Sequence, residues 1–197
     1  MTRIAVLISG FGSNLQALID AVEQADLPGV DIALVVSNEA DAYGLQRATQ
    51  HGIPAVTFPL APYMQGERSR EAYDADLAGI LQAFDVSWVI MAGWMHVLSD
   101  AFLRRFPSRV VNLHPALPGA FPGTDAIQRA YQAHRGGEID HTGVMIHLVP
   151  DEAVDAGPVV AQEVVPIHVD DGLDDLEERI HAVEHRLLVQ AVRELLC

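Results

Sequence analysis

"IAVLISGFGSNLQALIDAV", residues 4–22, is the stretch whose reading decides the fold. Ile4–Ile8 is an unbroken apolar run of strand length, the pattern of a strand buried on both faces. Gly10 and Gly12 then break the run. From Ser13 to Ala25 the apolar residues return at helical spacing, with Leu15, Leu18, Ile19 and Val22 on one stripe. A buried strand, a glycine turn and an amphipathic helix form the opening of a βαβ unit.

Outward from this stretch the alternation continues. Ile32–Val36 reads as a strand, Ala40–His51 as a helix stopped by Gly52, and Ala55–Phe58 as a strand. Pro59–Gly66 reads as a loop. Ser69–Phe84 reads as a helix with Tyr73, Leu77, Ile80 and Leu81 inward, and Trp88–Ala92 as a strand. Ser99 is expected to cap a short helix through Arg105. Arg109–Leu113 is a strand and Thr124–His134 a helix. The pattern then changes. Gly143–Val149 and Pro158–Val165 are two strands with no helix between them, so they are expected to be antiparallel around the acidic loop Pro150–Gly157. A long helix follows from about Leu173, with Leu176, Ile180, Val183, Leu187, Ala191 and Leu195 on its stripe. The fold class is therefore α/β: a Rossmann-like, mostly parallel twisted sheet with helices on both faces, antiparallel strands near the C-terminal end and a long C-terminal helix, in one domain over residues 1–197. Ligands bind such sheets outside the carboxyl ends of the strands, which points to loops Ser9–Asn14, Gly93–Ser99 and His114–Gly123.

The chain has 197 residues, enough for one large core. Its formal charge is −15, and all twelve basic residues are Arg. No basic patch can neutralise many phosphates, so nucleic acid and anionic membrane are excluded as partners. A small phosphorylated substrate is not excluded, since one Arg and a few backbone N–H groups hold a single phosphate. The one cysteine, Cys197, rules out a disulfide framework. The N-terminal apolar run is too short for a signal segment, and no stretch approaches the roughly 18 apolar residues of a membrane helix, so a cytoplasmic location is expected.

Four pieces carry possible chemistry. In "ISGFGSNLQ", residues 8–16, the glycines allow close backbone approach, and Ser13 and Asn14 can cap the helix or bond to phosphate oxygens. Leu15 stands where a dinucleotide fingerprint needs its third glycine, and Glu39 is a weak candidate for a ribose-binding acid. The choice lies between a mononucleotide-type phosphate site and a plain glycine turn. In "NLHPALPGAFPG", residues 112–123, Asn112 and His114 fall on one strand face. An amide donor beside an imidazole suits acyl transfer; the bland alternative is a buried His tied to a backbone carbonyl. In "PDEAVDAGPVV", residues 150–160, Asp151, Glu152 and Asp155 make either a solvated hairpin or, at the turn Asp155-Ala156-Gly157-Pro158, a carboxylate aimed at His114. No G-x-S-x-G elbow is present, so acyl transfer would proceed by direct attack of a substrate amine. "HAVEH", residues 181–185, has the spacing of an inverted zinc-peptidase motif, but only twelve residues follow to supply a third ligand, so no metal is expected.

With these pieces in place the sequence resembles the folate-dependent formyltransferases, and among them the phosphoribosylglycinamide formyltransferases. The likeness runs through "VLISGFGSNLQALIDA", "SNEADAYGL", "SREAYDADL", "MAGWMHVLS", "NLHPALPGAFPG", "HTGVMIHLV" and "VDAGPVVAQEVVP" to the "EH" of the last helix. The resemblance implies a formyl transfer from 10-formyltetrahydrofolate to the amine of phosphoribosylglycinamide in purine synthesis, with no metal, by a monomer or homodimer. It places nucleotide binding in the N-terminal half and folate binding and catalysis in the C-terminal half. It implies that Gly12, Ser13 and Asn14 hold the phosphate with help from Arg70, and that Glu184 binds the ribose hydroxyls. Met95, His96, Val97 and Leu98, with Asp151 and Glu152, would wall the folate pocket, and Asn112, His114 and Asp155 would form the catalytic trio. The chain departs from many relatives at Ala116-Leu117-Pro118-Gly119, at His96 where an Arg is frequent, at His181 where a glutamine is frequent, and in an acidic loop one residue longer before Asp155.

Overall fold

A computed structural model describes residues 1–66 and 68–197. Seven strands form one sheet in the order β3-β2-β1-β4-β5-β6-β7. The strands β1 (Thr2–Ile8), β2 (Val30–Ser37), β3 (Ala55–Thr57), β4 (Trp88–Met91) and β5 (Val110–His114) run parallel. The last two, β6 (His141–Leu148) and β7 (Val159–Pro166), are antiparallel additions at one edge. The expected mostly parallel sheet with an antiparallel C-terminal end is what forms.

Side-chain alternation divides the core into two layers. Ile4, Val6 and Ile8 of β1 pack with Leu15, Leu18 and Ile19 of α1 (Ser13–Glu23) and with the long α7 (Leu173–Leu196). Ala5 and Leu7 face the other way, onto Tyr73, Leu77 and Leu81 of α4 (Arg70–Ala83) and Phe102 of α5 (Asp100–Leu103). The central strand is thus apolar throughout because it is covered twice. Each fully buried Leu or Ile contributes roughly 1.5–3 kcal/mol relative to exposure.

Several local expectations are corrected. Pro59–Gly66 is not all loop: α3 (Ala61–Gln65) is one short turn of helix with Pro62 in its first turn, where the missing N–H costs nothing. One turn is too short to show a period. The helix expected from Ala40 starts at Tyr43 as α2 (Tyr43–Gln50), because Ala42 is extended. The Ser99 hydroxyl does not cap α5 and has no partner among the described residues; the Ser99 N–H donates instead to Asp74 at 2.8 Å. The α1 N-cap is Gly12 in a left-handed conformation, with no cap from Ser13 or Asn14. The remaining helix, α6 (Ala126–Arg135), packs beside α7.

The chain leaves β1 toward β2 and β3, then returns to lay β4 on the other side of β1. This reversal opens a crevice beyond the carboxyl ends of β1 and β4. No helix among the described residues is long and apolar enough to cross a membrane.

Candidate active site

A cleft of about 830 Å³ lies at that switch point. Its floor comes from the ends of β1, β4 and β5 and its walls from the loops that follow them, with the β6–β7 loop and α7 closing the sides.

At one end is the turn before α1. Gly12 has φ +74°, and a Cβ there would sit 2.7 Å from the Gly44 Cα. Gly44 in turn donates its N–H to the Gly10 carbonyl at 3.1 Å, and Arg47 donates to the Phe11 carbonyl at 3.0 Å. The first turn of α2 therefore backs the glycine turn, and both glycines are required by contact. The α1 N-terminus opens into the cleft with its unsatisfied N–H groups, an arrangement suited to an anion.

Asn14 is turned away from a capping role. Its Nδ2 donates to Glu184 Oε2 at 3.0 Å, and both side chains are buried. Burial pushes the Glu184 carboxyl above its ordinary value; the Asn14 amide and nearby His181 offset only part of this. His181 lines the cleft beside Glu184, while His185 is half-buried. The two histidines belong to no group of three or more His, Cys, Asp or Glu fit to hold a metal among the described residues.

In the middle, β5 brings Asn112 and His114 to one face, as alternation requires, and the β6–β7 loop brings Asp155 to both. Asp155 Oδ1 accepts from Asn112 Nδ2 at 3.0 Å, and Asp155 Oδ2 lies 3.2 Å from His114 Nδ1. Asp155 sits at φ +51°, and Gly157 fixes the path behind it: a Cβ there would lie 1.8 Å from the Leu148 carbonyl oxygen. Burial works to raise the Asp155 carboxyl. The neighbouring His147, the Gly123 N–H and the His114 ring together hold it below its ordinary value. For His114 burial wins: it pushes the imidazole below its ordinary value, against Asp155 and the carbonyls of Phe121 and Ala120. Its Nε2 faces the Phe121 carbonyl at 3.1 Å. The histidine thus lies within bonding distance of both a backbone carbonyl and the carboxylate.

His147 was not singled out in the sequence. It is buried, stands opposite Asn112 in the β5–β6 register, and its Nε2 lies 3.2 Å from Asn112 Nδ2. Its Nδ1 faces the Leu148 carbonyl at 2.9 Å and so carries a proton, while Nε2 stands between Asn112 Nδ2 and Asp155 Oδ1, the latter 3.5 Å away. The available signal was its alternation with Met145, but only the register shows what it meets.

At the far end, Trp94 and Leu98 are buried, whereas Met95, Val97 and Val154 are exposed apolar side chains around the opening. His96 packs edge-on against Trp94, with ring centroids 5.5 Å apart. Glu152 accepts from the Asp100 N–H at 2.8 Å and Asp151 from the Ala153 N–H at 2.9 Å, so the acidic loop is tied to α5 and to itself. An apolar wall rimmed by carboxylates suits a flat, partly polar ring system. Arg70 is placed differently from the other expected residues. It does not line the cleft; its guanidinium bonds to Asp74, at 3.3 Å, and to the Val97 carbonyl, so its partners are in the wall and not in the glycine turn.

The family model "Formyl transferase" matches residues 2–192. A phosphoribosylglycinamide formyltransferase of Schizosaccharomyces pombe is 47% identical over 204 residues, covering 100% of this chain and 98% of the relative. That of Escherichia coli is 40% identical over 185 residues, covering 94% of this chain and 82% of the relative. The solved structure of glycinamide ribonucleotide transformylase 1 from Geobacillus kaustophilus superposes with a TM-score of 0.91 at 40% identity, covering 100% of both chains.

Proposed function

This chain belongs to the formyl transferase family, and from that premise we propose that it moves the formyl group of 10-formyltetrahydrofolate to the amine of 5-phosphoribosylglycinamide in purine biosynthesis. The observation that carries the reading is one cleft holding three kinds of site in line. The glycine turn with the Asn14–Glu184 pair stands at one end, the Asn112–His114–Asp155 group in the middle, and the apolar wall at the other end.

In this reading the α1 N-terminus, through Gly12 and Ser13, receives the phosphate. Glu184, oriented by Asn14, accepts from the ribose hydroxyls. Met95 to Leu98 wall the folate, with Asp151 and Glu152 at the polar edge of its ring. Arg70 supports that wall by holding the Val97 carbonyl, in place of the phosphate role expected from the sequence. The folate supplies an activated formyl carbon. The new C–N bond forms to the substrate amine, the bond to the folate nitrogen breaks, and one proton passes from the first nitrogen to the second.

The side chains serve the charge that develops between these events. One Asn112 N–H leaves His147 Nε2 for the formyl oxygen as it becomes negative, and the His114 ring stands beside that charge. Burial works against the charged form of the ring, opposed by Asp155 and the Phe121 carbonyl. The ring's proton affinity rises when the anion forms beside it. Asp155, ionised and held by Gly123, orients His114 and relays the amine proton.

The test is a formyl-transfer assay followed by the ultraviolet change as a 10-formyl folate loses its formyl group. Release is expected only when the ribonucleotide is present. Release without it would reassign the protein as a formyl hydrolase, and no release in either case would overturn the proposal.

A further inference from the structure

The turn Phe121-Pro122-Gly123 touches both members of the central His–Asp pair through its backbone. The Phe121 carbonyl faces His114 Nε2 at 3.1 Å, and the Gly123 N–H donates to Asp155 Oδ2 at 2.8 Å. The turn is not a relaxed one. Phe121 has φ +47° and Gly123 φ +81°, and a residue with a Cβ stays in the left-handed region only when its surroundings hold it there.

Besides His114 and Asp155, one side chain outside the pair holds the turn. Arg129, on α6, donates from Nη2 to the Phe121 carbonyl at 2.5 Å and to the Pro122 carbonyl at 2.6 Å. Its guanidinium also lies 5.9 Å from the centroid of the Phe121 ring. The helix fixes Arg129 in turn, since its N–H donates to the Asp125 carbonyl at 2.9 Å. Both carbonyls are met by the two N–H of Nη2 alone, while the planar guanidinium lies over the Phe121 ring, a contact that a lysine ammonium makes less well.

We propose that Arg129 is a positioning residue: by locking Phe121 and Pro122 to α6 it presents one carbonyl to His114 and one amide to Asp155, and so sets the geometry of the pair without touching substrate. The inference rests on the reading of His114 and Asp155 as the reacting pair. The titratable groups that face His114 are Asp155 and His147.

The experiment compares wild type, Arg129→Ala and Arg129→Lys. Formyl-transfer kinetics are measured, and the His114 ring is titrated by NMR in protein without substrates, a readout that does not depend on activity. In Arg129→Ala, kcat is expected to fall about 10²-fold, the scale of a small misplacement near the reacting groups. KM for both substrates should change by less than about threefold. The His114 ring should titrate at lower pH than in wild type, having lost its carbonyl acceptor. Arg129→Lys should fall between the two in both readouts. A His114 titration that moves to higher pH would mean that the guanidinium acts through its charge, and would overturn the positioning role. Unchanged kcat and titration in either variant would overturn it as well. If Arg129→Ala does not fold, Arg129→Lys decides alone by the same criteria. His114→Ala with wild-type turnover would instead sink the reading of the reacting pair and leave the Arg129 titration result standing.

Discussion

Asn14 and Glu184, 170 residues apart, meet in a 3.0 Å hydrogen bond buried on both sides, joining the first turn of α1 to the middle of α7. The bond closes one end of the cleft and fixes there the carboxylate proposed to meet the ribose hydroxyls. Asn14→Ala would leave that carboxylate without its amide donor. A loss of about 1–3 kcal/mol in urea unfolding is expected, together with a raised KM for the ribonucleotide.

The same carboxylate has a pH signature. Burial raises the Glu184 pKa above 4.5, so on raising the pH the unfolded chain ionises first. Stability attributable to this group is therefore fully present below pH 4.5 and falls as pH climbs through the folded value. Glu184→Gln should remove that fall while keeping a side chain of the same shape. Parallel urea curves for wild type and variant between pH 4.5 and 7 would contradict the assignment.

His114 and Asp155 should respond to substitution as a unit. His114→Ala and Asp155→Asn are each expected to lower kcat by about 10²–10³-fold, the scale of one lost oxyanion donor. The double variant should lose far less than the product of the two. The His114 ring, lowered below 6.5 by burial, should destabilise the fold as pH drops from 6.5 through its folded value, since the unfolded chain takes the proton first. Asp155, held below 3.8, contributes stability above pH 3.8 that is lost as pH falls through its own folded value. Stability curves of His114→Ala and wild type that do not diverge below pH 6.5 would speak against the buried neutral ring.

Gly157 has no room for a side chain against the Leu148 carbonyl. Gly157→Ala must shift the β6–β7 loop and carry Asp155 with it. A cost of about 1–3 kcal/mol in thermal or urea unfolding is expected, with a drop in kcat larger than any change in KM. Retention of full turnover would show that Asp155 tolerates displacement.

Gly12 and Gly44 act at the other end. Gly12→Ala meets both a left-handed φ and the Gly44 Cα at 2.7 Å. It should raise KM for the phosphorylated substrate while leaving folate binding, measured by fluorescence, nearly unchanged. Equal weakening of both ligands would mean that the turn supports the whole cleft and not one end of it.

Legibility followed distance along the chain. The β1–glycine–α1 unit was readable because each of its signals lies within a few residues. The shared face of Asn112 and His114 was readable because alternation is a property of one strand. α3 was missed because one helical turn has no period; Ser99 stands at the N-cap of α5 as expected, but its hydroxyl makes no cap bond and its N–H donates to Asp74, 25 residues earlier. His147 and Arg129 were missed because their partners are set by the register of β5 on β6 and by the path of the 115–123 loop. Arg70 was expected near the phosphate turn, yet its guanidinium is held by Asp74 and the Val97 carbonyl.

By itself the sequence determined the order of the strands and of every helix but α3, the buried faces and the loops that meet at the sheet edge, because period and turn chemistry are local. Only the tertiary structure decided that Asn14 holds Glu184, that Asp155 bridges Asn112 and His114, and that Arg129 grips the turn facing them. Those contacts depend on crossovers and strand register, which bring distant residues within bonding distance through the packing of the whole sheet.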